Sequence, residues 1–212
     1  MKVNEIFFSI QGESSFMGRP CAFVRLAGCN LRCSYCDTGY AFSEGQDLSI
    51  AEVLDAVAAF PARLVLVTGG EPLLQSEVHE LFRSLLDCGR VVCVETGGQM
   101  PVADVDPRVH KIMDLKCPSS GMQQHNRYEN IEHLTKTDEI KFVVGDRADF
   151  EWACGVCDRY RLPSRVGTVL FSPVYQKLDY GDLASWVMHC GFSARMQLQL
   201  HKIIWPGVAR GV

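Results

Sequence analysis

Apolar residues along the chain recur in short runs that are typical of buried β-strands. Eight such runs are present, at residues 2–10, 21–27, 63–68, 91–96, 109–116, 139–144, 167–172 and 196–201. Their length and their content of β-branched and aromatic residues favour strands over helices. The pattern therefore predicts a protein built around a β-sheet.

Segments with helical periodicity lie between these runs. In residues 49–60, Ser49 and Glu52 form a capping-box pattern, and apolar positions then recur every three or four residues. Residues 76–89 form a second such segment, which ends at Gly89, where a left-handed cap is expected. Because parallel strands need a crossover of helical length, this alternation predicts the α/β class with parallel pairing.

The segment between the fifth and sixth predicted strands, residues 117–138, interrupts the alternation, since it is polar and only weakly helical. A regular eight-fold barrel is therefore not expected, and an incomplete TIM-like barrel or an open sheet fits better. In both architectures functional residues lie at the C-terminal ends of the strands. No linker divides the chain, so we expect one domain over residues 1–212.

Composition narrows the possible functions. The chain has 21 basic and 25 acidic residues, and the basic residues are scattered, which argues against a nucleic-acid partner. No apolar run approaches membrane-spanning length, and the apolar stretch near the N-terminus is too short for a signal peptide. We expect a cytoplasmic protein without a membrane partner, in which the ten cysteines are reduced.

Three cysteines, Cys29, Cys33 and Cys36, follow the second predicted strand in the segment GCNLRCSYCDT. Three thiolates on one loop can hold three irons of a 4Fe–4S cluster and leave the fourth iron open for a small ligand. The alternatives are a zinc site completed by Cys21 or a distant histidine, or three buried thiols. Zinc sites generally use two separate cysteine pairs, and no second pair lies near this loop, so the spacing favours the cluster.

The spacing CxxxCxxC, with Tyr35 before the last cysteine, resembles the radical S-adenosylmethionine (SAM) superfamily. A second matching motif, TGGEP, occupies residues 68–72 at the end of the following predicted strand. In that superfamily the open iron binds the amine and carboxylate of SAM, and the GGEP segment contacts the methionine amine. The resemblance therefore implies a 4Fe–4S cluster and SAM as cofactors, with the cluster held by Cys29, Cys33 and Cys36.

Four further segments resemble one family within it, the 7-carboxy-7-deazaguanine synthases of queuosine biosynthesis. They are SIQGES (9–14), GRPCAFVRLAGCNLRCSYCDT (18–38), VVCVETGG (91–98) and QLQLHKIIWPGVARGV (197–212). In that family a 5′-deoxyadenosyl radical removes a hydrogen from C6 of 6-carboxy-5,6,7,8-tetrahydropterin, which loses ammonia and becomes 7-carboxy-7-deazaguanine. The resemblance also implies a partial barrel, a homodimer, an external electron donor of the flavodoxin or ferredoxin type, and a Mg²⁺ ion bound to the substrate.

The resemblance assigns roles to individual residues. It makes Thr38 the protein ligand of Mg²⁺ and implies no catalytic side chain beyond the cluster and the radical. It places contacts to SAM at Tyr35, Cys36, Asp37, Gly70, Asp114, Leu115, Lys116, Ser172 and Pro173. It places contacts to the substrate at Ile10, Gln11, Gly12, Glu13, Arg25, Thr68 and His201.

Arg25 is also singled out by a physical argument. In the predicted strand 21–27 it shares a face with Phe23 and Ala27, and a guanidinium in apolar surroundings is costly to bury without an anion. A substrate carboxylate would satisfy it with a bidentate pair. The alternative is an edge strand from which Arg25 reaches solvent.

Other polar features are less specific. In residues 196–201 the side chains of Gln197, Gln199 and His201 share one face of the predicted strand, which either lines a barrel lumen or is exposed. The CGVC pair, Cys154 and Cys157, falls in a helix-like segment and is interpreted as packing. The remaining thiols are interpreted as core or inert residues, and these are Cys88, Cys93, Cys117 and Cys190.

Two alternative functions stay open. A glycyl-radical activating enzyme shares the cysteine spacing but needs a groove for a protein partner, and the IQGE and CDT segments argue against it. A non-catalytic iron–sulfur or zinc protein would lack the GGEP motif and would generally have a fourth cysteine ligand.

Overall fold

Nine β-strands form one sheet in the computed structural model, which describes residues 1–212. The strands are β1 (Lys2–Ile10), β2 (Pro20–Leu26), β3 (Gln46–Asp47), β4 (Leu64–Gly69), β5 (Val91–Thr96), β6 (His110–Asp114), β7 (Glu139–Val144), β8 (Thr168–Pro173) and β9 (Arg195–Met196). Their order in the sheet is β3-β1-β2-β4-β5-β6-β7-β8-β9. The predicted α/β class is confirmed.

Six α-helices accompany the sheet, and none is long and apolar enough to cross a membrane. They are α1 (Ile50–Ala58), α2 (Val78–Asp87), α3 (Arg147–Tyr160), α4 (Leu162–Arg165), α5 (Tyr180–Met188) and α6 (Leu200–Ile204). The capping box of Ser49 and Glu52 forms the N-terminus of α1, and Gly89 adopts a left-handed φ of 76° after α2, as predicted. Only short 3₁₀ turns lie between β6 and β7, which agrees with the weak helical pattern there.

Strand direction differs from the prediction at one edge of the sheet. From β2 through β9 the neighbouring strands pair in parallel, whereas β1 is antiparallel to both β2 and β3. The connection from β1 to β2, residues 11–19, contains no helix and is too short for a parallel crossover. The prediction of parallel pairing throughout was therefore wrong for β1.

The sheet is curled. The backbone N–H of Ser15, in the β1–β2 connection, donates to the carboxylate of Glu139 at the start of β7, at 3.0 Å. In a flat sheet, β2 and β7 would be about 20 Å apart, because neighbouring strands are spaced by about 4.8 Å. The contact therefore requires a partly closed barrel, with one face of the sheet turned inward.

The two faces of the sheet bury different apolar clusters. The outer face packs against the helices in the main core, which includes Val24, Val67 and Phe142. The inner face carries a smaller layer formed by Phe7, Cys21, Phe23, Leu64, Leu66, Cys93 and Ile112. This inner layer fills the part of the lumen nearest the N-terminal ends of the parallel strands.

The last predicted strand, residues 196–201, was wrong in extent. The strand ends at Met196, and α6 begins at Leu200. The side chain of Gln197 accepts a hydrogen bond from the Ser14 N–H at 2.8 Å, and the Leu200 N–H donates to the Gly12 carbonyl at 3.0 Å. These bonds direct the chain away from the sheet and toward the β1–β2 connection.

Arg90 is expected to stabilise the end of α1. Its guanidinium lies against the carbonyl oxygen of Val57 in the last turn of α1 and against those of Phe60 and Ala62 in the segment that follows. We expect Arg90→Ala to lower the free energy of unfolding by about 1–3 kcal/mol, measured by urea denaturation. Arg63→Ala, which removes an exposed side chain, should change it by less than about 0.5 kcal/mol. Equal losses in the two variants would contradict this role.

Candidate active site

A cavity of about 480 Å³ lies inside the curled sheet and opens at the C-terminal ends of the parallel strands. Its volume is in the range of small-molecule sites. Most of the residues singled out in the sequence line it, namely Ile10, Gln11, Gly12, Glu13, Arg25, Cys29, Cys33, Tyr35, Cys36, Asp37, Thr38, Thr68, Gly70, Asp114, Lys116 and His201. The structure thus brings these side chains together, while their individual binding roles stay predictions.

The cysteine loop lies at the mouth of this cavity and is held from the side of β7. The Tyr35 hydroxyl donates to the Val143 carbonyl at 3.2 Å. Ser34 forms two hydrogen bonds to the turn after β6, from its N–H to Ser120 O at 3.0 Å and from its hydroxyl to Ser119 O at 2.7 Å. The loop is therefore fixed at its middle, between the second and third cysteines.

The thiols fit a cluster better than a single metal ion. Burial raises the pKa of Cys29 and of Cys33, so both retain their protons until a metal replaces them. No three His, Cys, Asp or Glu side chains are grouped so as to hold one metal ion. A 4Fe–4S cluster instead distributes its thiolates over separate irons, and three cysteines on one loop at the cavity mouth match that donor set.

The GGEP segment packs directly against the cysteine loop. The Gly70 N–H donates to Leu26 O at 3.1 Å, and the Glu71 N–H donates to Gly28 O at 2.7 Å. A Cβ on Gly70 would collide with the Gly28 carbonyl and lie 2.8 Å from the Cβ of Cys29. Glycine is required here because the two motif loops touch through their backbones.

Glu71 of the same segment is fully buried and joins the ends of β4 and β5. Its carboxylate accepts hydrogen bonds from the Thr96 hydroxyl and from the Gly97 N–H, each at 2.9 Å. It also caps the following 3₁₀ turn by accepting from the Leu73 N–H at 3.0 Å. Burial raises the pKa of Glu71. Glu71 therefore holds Thr96 and Gly97 at the cavity rim without lining the cavity itself.

A buried lysine that the sequence analysis missed lies at the centre of the lumen. The Lys141 ammonium is 2.7 Å from Glu13 Oε2 and 3.8 Å from Glu95 Oε1. The Thr68 hydroxyl donates to the other oxygen of Glu95 at 3.2 Å. The signal in the sequence was the strand EIKFVV, in which Lys141 shares a face with Glu139 and Val143. Charged residues on one face of a central strand indicate a polar lumen.

The charges of this group are unequal, with one ammonium between two carboxylates. Burial opposes ionisation of Glu13, but Lys141 outweighs it and lowers the pKa of Glu13 to about 2. Burial dominates at Glu95 and raises its pKa. For Lys141, burial acts against the charge, yet Glu13 and Glu95 keep its pKa well above the ordinary value. Glu95 is therefore the carboxylate of this group that takes up a proton more readily.

The IQGE segment lines the cavity beside α6, where the Leu200 N–H donates to the Gly12 carbonyl. Because β1 is antiparallel, its last residue, Ile10, pairs with Pro20 at the start of β2. Beyond it, the Phe16 ring packs against His110 at the start of β6, with ring centroids 5.0 Å apart. The segment follows the C-terminal end of β1, as expected, but since β1 is antiparallel this end lies beside the N-terminal ends of the parallel strands, where the segment forms the cavity floor. The Nε2 of Gln11 is buried there without a hydrogen-bond partner.

Arg25 faces the cavity and already has one protein partner. Its Nε donates to Glu5 Oε1 at 2.7 Å, and its side chain is only 12% exposed. Its two Nη groups have no protein acceptor. Strand β2 is internal to the sheet, so the alternative of an edge strand with a solvated arginine is wrong. Glu5, which pairs with Arg25 on the neighbouring strand, was not predicted as a site residue.

The polar face of the predicted C-terminal strand does reach the lumen, although the strand itself does not. The side-chain amides of Gln197 and Gln199 donate to the two carboxylate oxygens of Glu13, at 3.1 and 2.9 Å. Burial lowers the pKa of His201, so its imidazole is neutral at pH 7. Lys202 forms an ion pair with Asp37 at 2.5 Å, which connects α6 to the cysteine loop.

The predicted SAM contacts divide between the cavity wall and the core. Lys116 pairs with Asp114 Oδ2 at 2.8 Å, and the other oxygen, Oδ1, is buried without a partner. Leu115 has its side chain in the main core. Ser172 and Pro173 are buried and do not line the cavity.

The other cysteines do not line the cavity. Cys157 is buried in the main core, and Cys154 packs against that core. Cys93 and Cys117 are buried, whereas Cys190 is partly buried. Cys88 is exposed and is not a core residue.

Residues 24–161 match the family model of the radical SAM superfamily. Three relatives named 7-carboxy-7-deazaguanine synthase are similar over most of the chain. The protein of Chlorobaculum tepidum is 48% identical over 100% of this chain and 97% of its own length. That of Koribacter versatilis is 43% identical over 100% of both chains. That of Methanospirillum hungatei is 43% identical over 96% of this chain and 85% of its own length.

Solved structures are similar in fold. QueE from Escherichia coli has a TM-score of 0.76 and 22% identity, and the match covers 94% of each chain. SuiB from Streptococcus suis, in its complex with S-adenosylmethionine, has a TM-score of 0.56 and 10% identity over 81% of this chain and 45% of its own. At these identities the likeness concerns the fold alone, and it supports the incomplete barrel.

Removing the Lys141 ammonium should expose the cost of the buried carboxylates. In Lys141→Met the hydrogen bonds from Gln199 to Glu13 and from Thr68 to Glu95 remain, but burial is the largest influence on both carboxylates, and we expect it to raise both folded-state pKa values above the unfolded values. The native state then binds more protons than the unfolded state, so its stability falls as pH rises. We expect a loss of about 3–5 kcal/mol in the free energy of unfolding at pH 8 and a smaller loss at pH 5, measured by urea denaturation.

Two further variants check this interpretation. Glu13→Gln combined with Lys141→Met should recover part of the stability, because one buried charge is removed with its partner. The exposed Lys136→Met should change stability by less than about 0.5 kcal/mol at both pH values. A loss in Lys141→Met that does not depend on pH would point to packing instead of charge.

Proposed function

The chain belongs to the 7-carboxy-7-deazaguanine synthases of the radical SAM superfamily, and on this premise we propose that its cavity converts 6-carboxy-5,6,7,8-tetrahydropterin to 7-carboxy-7-deazaguanine with loss of ammonia. Enzymes of this kind use a 4Fe–4S cluster and SAM, and the thiols of Cys29, Cys33 and Cys36 would hold the cluster. When bound, these two groups supply the one-electron chemistry that begins the reaction.

The observation that carries the proposal is that one edge of the Arg25 guanidinium has no hydrogen-bond acceptor in the protein. Its two Nη groups face the cavity, have no protein acceptor, and lie on a largely buried side chain. Two parallel N–H donors match the two oxygens of a carboxylate, and an anion compensates the charge of a guanidinium that is removed from water. The 6-carboxylate of the pterin is a ligand of this kind.

The cavity floor offers groups for the amino-pyrimidinone edge of a pterin. The Glu13 carboxylate accepts from Lys141, Gln197 and Gln199, which leaves room for one further N–H donor at its oxygens. The unpartnered Nε2 of Gln11 can donate to a ring carbonyl. We assign Ile10, Gly12, Thr68 and His201 to the same binding region, since all line the cavity.

We assign SAM to the cavity mouth, where Tyr35, Cys36, Asp37 and Gly70 lie beside the other cluster cysteines. The unpartnered Oδ1 of Asp114 is an acceptor suited to a hydroxyl group of the nucleoside. Lys116 holds the other oxygen of that carboxylate in place. Contacts by Leu115, Ser172 and Pro173 belong to the proposal as backbone contacts, because their side chains lie outside the cavity wall.

Thr38 supplies a hard oxygen for Mg²⁺ at the cavity wall, with its hydroxyl 3.8 Å from Cys36 Sγ. The neighbouring carboxylate of Asp37 is paired with Lys202. Mg²⁺ commonly keeps one or two protein ligands and takes the rest from substrate and water, which fits this single donor. We therefore propose that the ion binds together with the carboxylated substrate.

A closed floor favours a small molecule over a protein substrate. Residues 11–19 cover the lumen at the N-terminal strand ends, where Ser15 bonds Glu139 and Phe16 packs on His110. A glycyl-radical activating enzyme would need a groove for a protein segment. The proposal further comprises one domain over residues 1–212, a homodimer, an electron donor of the flavodoxin or ferredoxin type, and a cytoplasmic location.

The proposal is tested by anaerobic reconstitution of the cluster, followed by incubation with SAM, a reductant, Mg²⁺ and 6-carboxytetrahydropterin. Both 5′-deoxyadenosine and 7-carboxy-7-deazaguanine should appear by mass spectrometry. Cys33→Ala should form neither. Deoxyadenosine without the deazaguanine would contradict the substrate, and neither product from protein with an intact cluster would contradict the radical chemistry.

Arg25→Lys should separate substrate binding from SAM cleavage. Lysine keeps the charge but loses the planar pair of donors, so we expect KM for 6-carboxytetrahydropterin to rise by roughly 10- to 100-fold. Deoxyadenosine release in the absence of substrate should not change. Arg165→Lys, at an exposed ion pair with Glu132, serves as the matched control. An unchanged KM in Arg25→Lys would show that another group binds the carboxylate.

A further inference from the structure

The segment that follows α6, residues 205–212, folds back to the cavity. Val212 lines the cavity wall. The Tyr40 hydroxyl donates to the Ala209 carbonyl at 3.1 Å. Two residues later, the Gly211 N–H donates to Glu5 Oε2 at 3.2 Å. The segment is thus attached both to the cysteine-loop side and to β1.

Glu5 is the point where this segment meets the predicted carboxylate site. Its Oε1 accepts from Arg25 Nε at 2.7 Å, and its Oε2 accepts from the Gly211 N–H. The single hydrogen of the Tyr40 hydroxyl is shared between Glu5 Oε1 and the Ala209 carbonyl, each at 3.1 Å. The donors come from β2, from the turn after the cysteine loop and from the C-terminal segment. One carboxylate therefore joins three parts of the chain that are remote in sequence.

Arg210 holds the segment in place from its outer side. Its guanidinium forms an ion pair with Glu44 at 2.5 Å and lies over the Tyr40 ring, 4.3 Å from the ring centroid. Tyr40 is therefore contacted by Arg210 on its face and by Glu5 and Ala209 at its hydroxyl. These contacts fix the position of the segment and therefore of the Gly211 N–H that donates to Glu5.

We propose that residues 209–211 form a strap that positions Arg25 through Glu5 and thereby selects carboxylated pterins over pterins that lack the carboxylate. The inference rests on the proposed function, because it assigns Arg25 the substrate carboxylate. Glu5 occupies the Nε edge of the guanidinium, so the Nη edge is the one that faces the cavity. The strap and Tyr40 keep Glu5 in that orientation. Glu5 and Arg210 are thus positioning residues that do not touch the substrate.

The test compares steady-state kinetics of the reconstituted enzyme and three variants with 6-carboxytetrahydropterin. Glu5→Gln should raise KM by roughly tenfold, because a charged acceptor of the Arg25 Nε is lost. Arg210→Ala should raise KM by roughly threefold, as expected for a half-exposed ion pair. In both variants kcat should be unchanged. Arg210→Lys, which keeps the pair with Glu44, should restore the wild-type KM.

A second measurement separates positioning from a general loosening of the fold. Tetrahydropterin without the carboxylate is used as a competitive inhibitor, and its inhibition constant should not change in Glu5→Gln or Arg210→Ala. The preference for the carboxylated ligand should therefore fall in these variants, while Arg165→Ala, at a side chain that does not line the cavity, should leave it unchanged.

The outcomes distinguish the inference from the function on which it rests. If the wild-type enzyme forms no 7-carboxy-7-deazaguanine, the proposed function fails. If the wild-type enzyme is active and both variants keep its KM, the strap does not position Arg25 and the inference is overturned. The inference is also overturned if the variants weaken the binding of both pterins in parallel.

Discussion

The curled sheet and its cavity depend on the contact between the β1–β2 connection and the far strands. Glu13 from this connection reaches Lys141 on β7 and the amides of Gln197 and Gln199 beyond β9. These partners lie at the far side of a sheet that would otherwise spread open. Charged groups are costly to remove from water. Glu13 and Lys141 are tolerated in the lumen because they form an ion pair across it. The same contact that closes the barrel therefore provides its polar interior.

The strands and the motif loops could be predicted from the sequence because their signals are local. Runs of apolar residues mark strands such as β1 and β7, and the capping box marks the start of α1. The cysteine spacing and the GGEP segment are also local patterns, and the structure places both at the cavity mouth. What these features share is that no distant partner is needed to recognise them.

The remaining features depend on pairing, which one sequence does not display. The partner of Arg25 is Glu5, twenty residues away, because the antiparallel register places the two residues opposite each other. The role of Lys141 depends on Glu13, which the curl of the sheet brings to it. The polar face of residues 196–201 was predicted, but as a strand, since alternation alone cannot show that the bonds from Leu200 to Gly12 and from Ser14 to Gln197 turn the chain out of the sheet.

Backbone contact between the two motif loops limits how the site can vary. Gly70 leaves no space for a side chain beside Gly28 and Cys29, and Glu71 fixes the adjoining rim through Thr96. A displacement of either loop must therefore displace the other. By contrast, the floor is connected to the cysteine loop through α6, by the backbone bond from Leu200 to Gly12 and the ion pair between Lys202 and Asp37. The cavity thus has a rigid opening and a closed floor. A molecule bound at the floor can therefore leave only past whatever is bound at the opening.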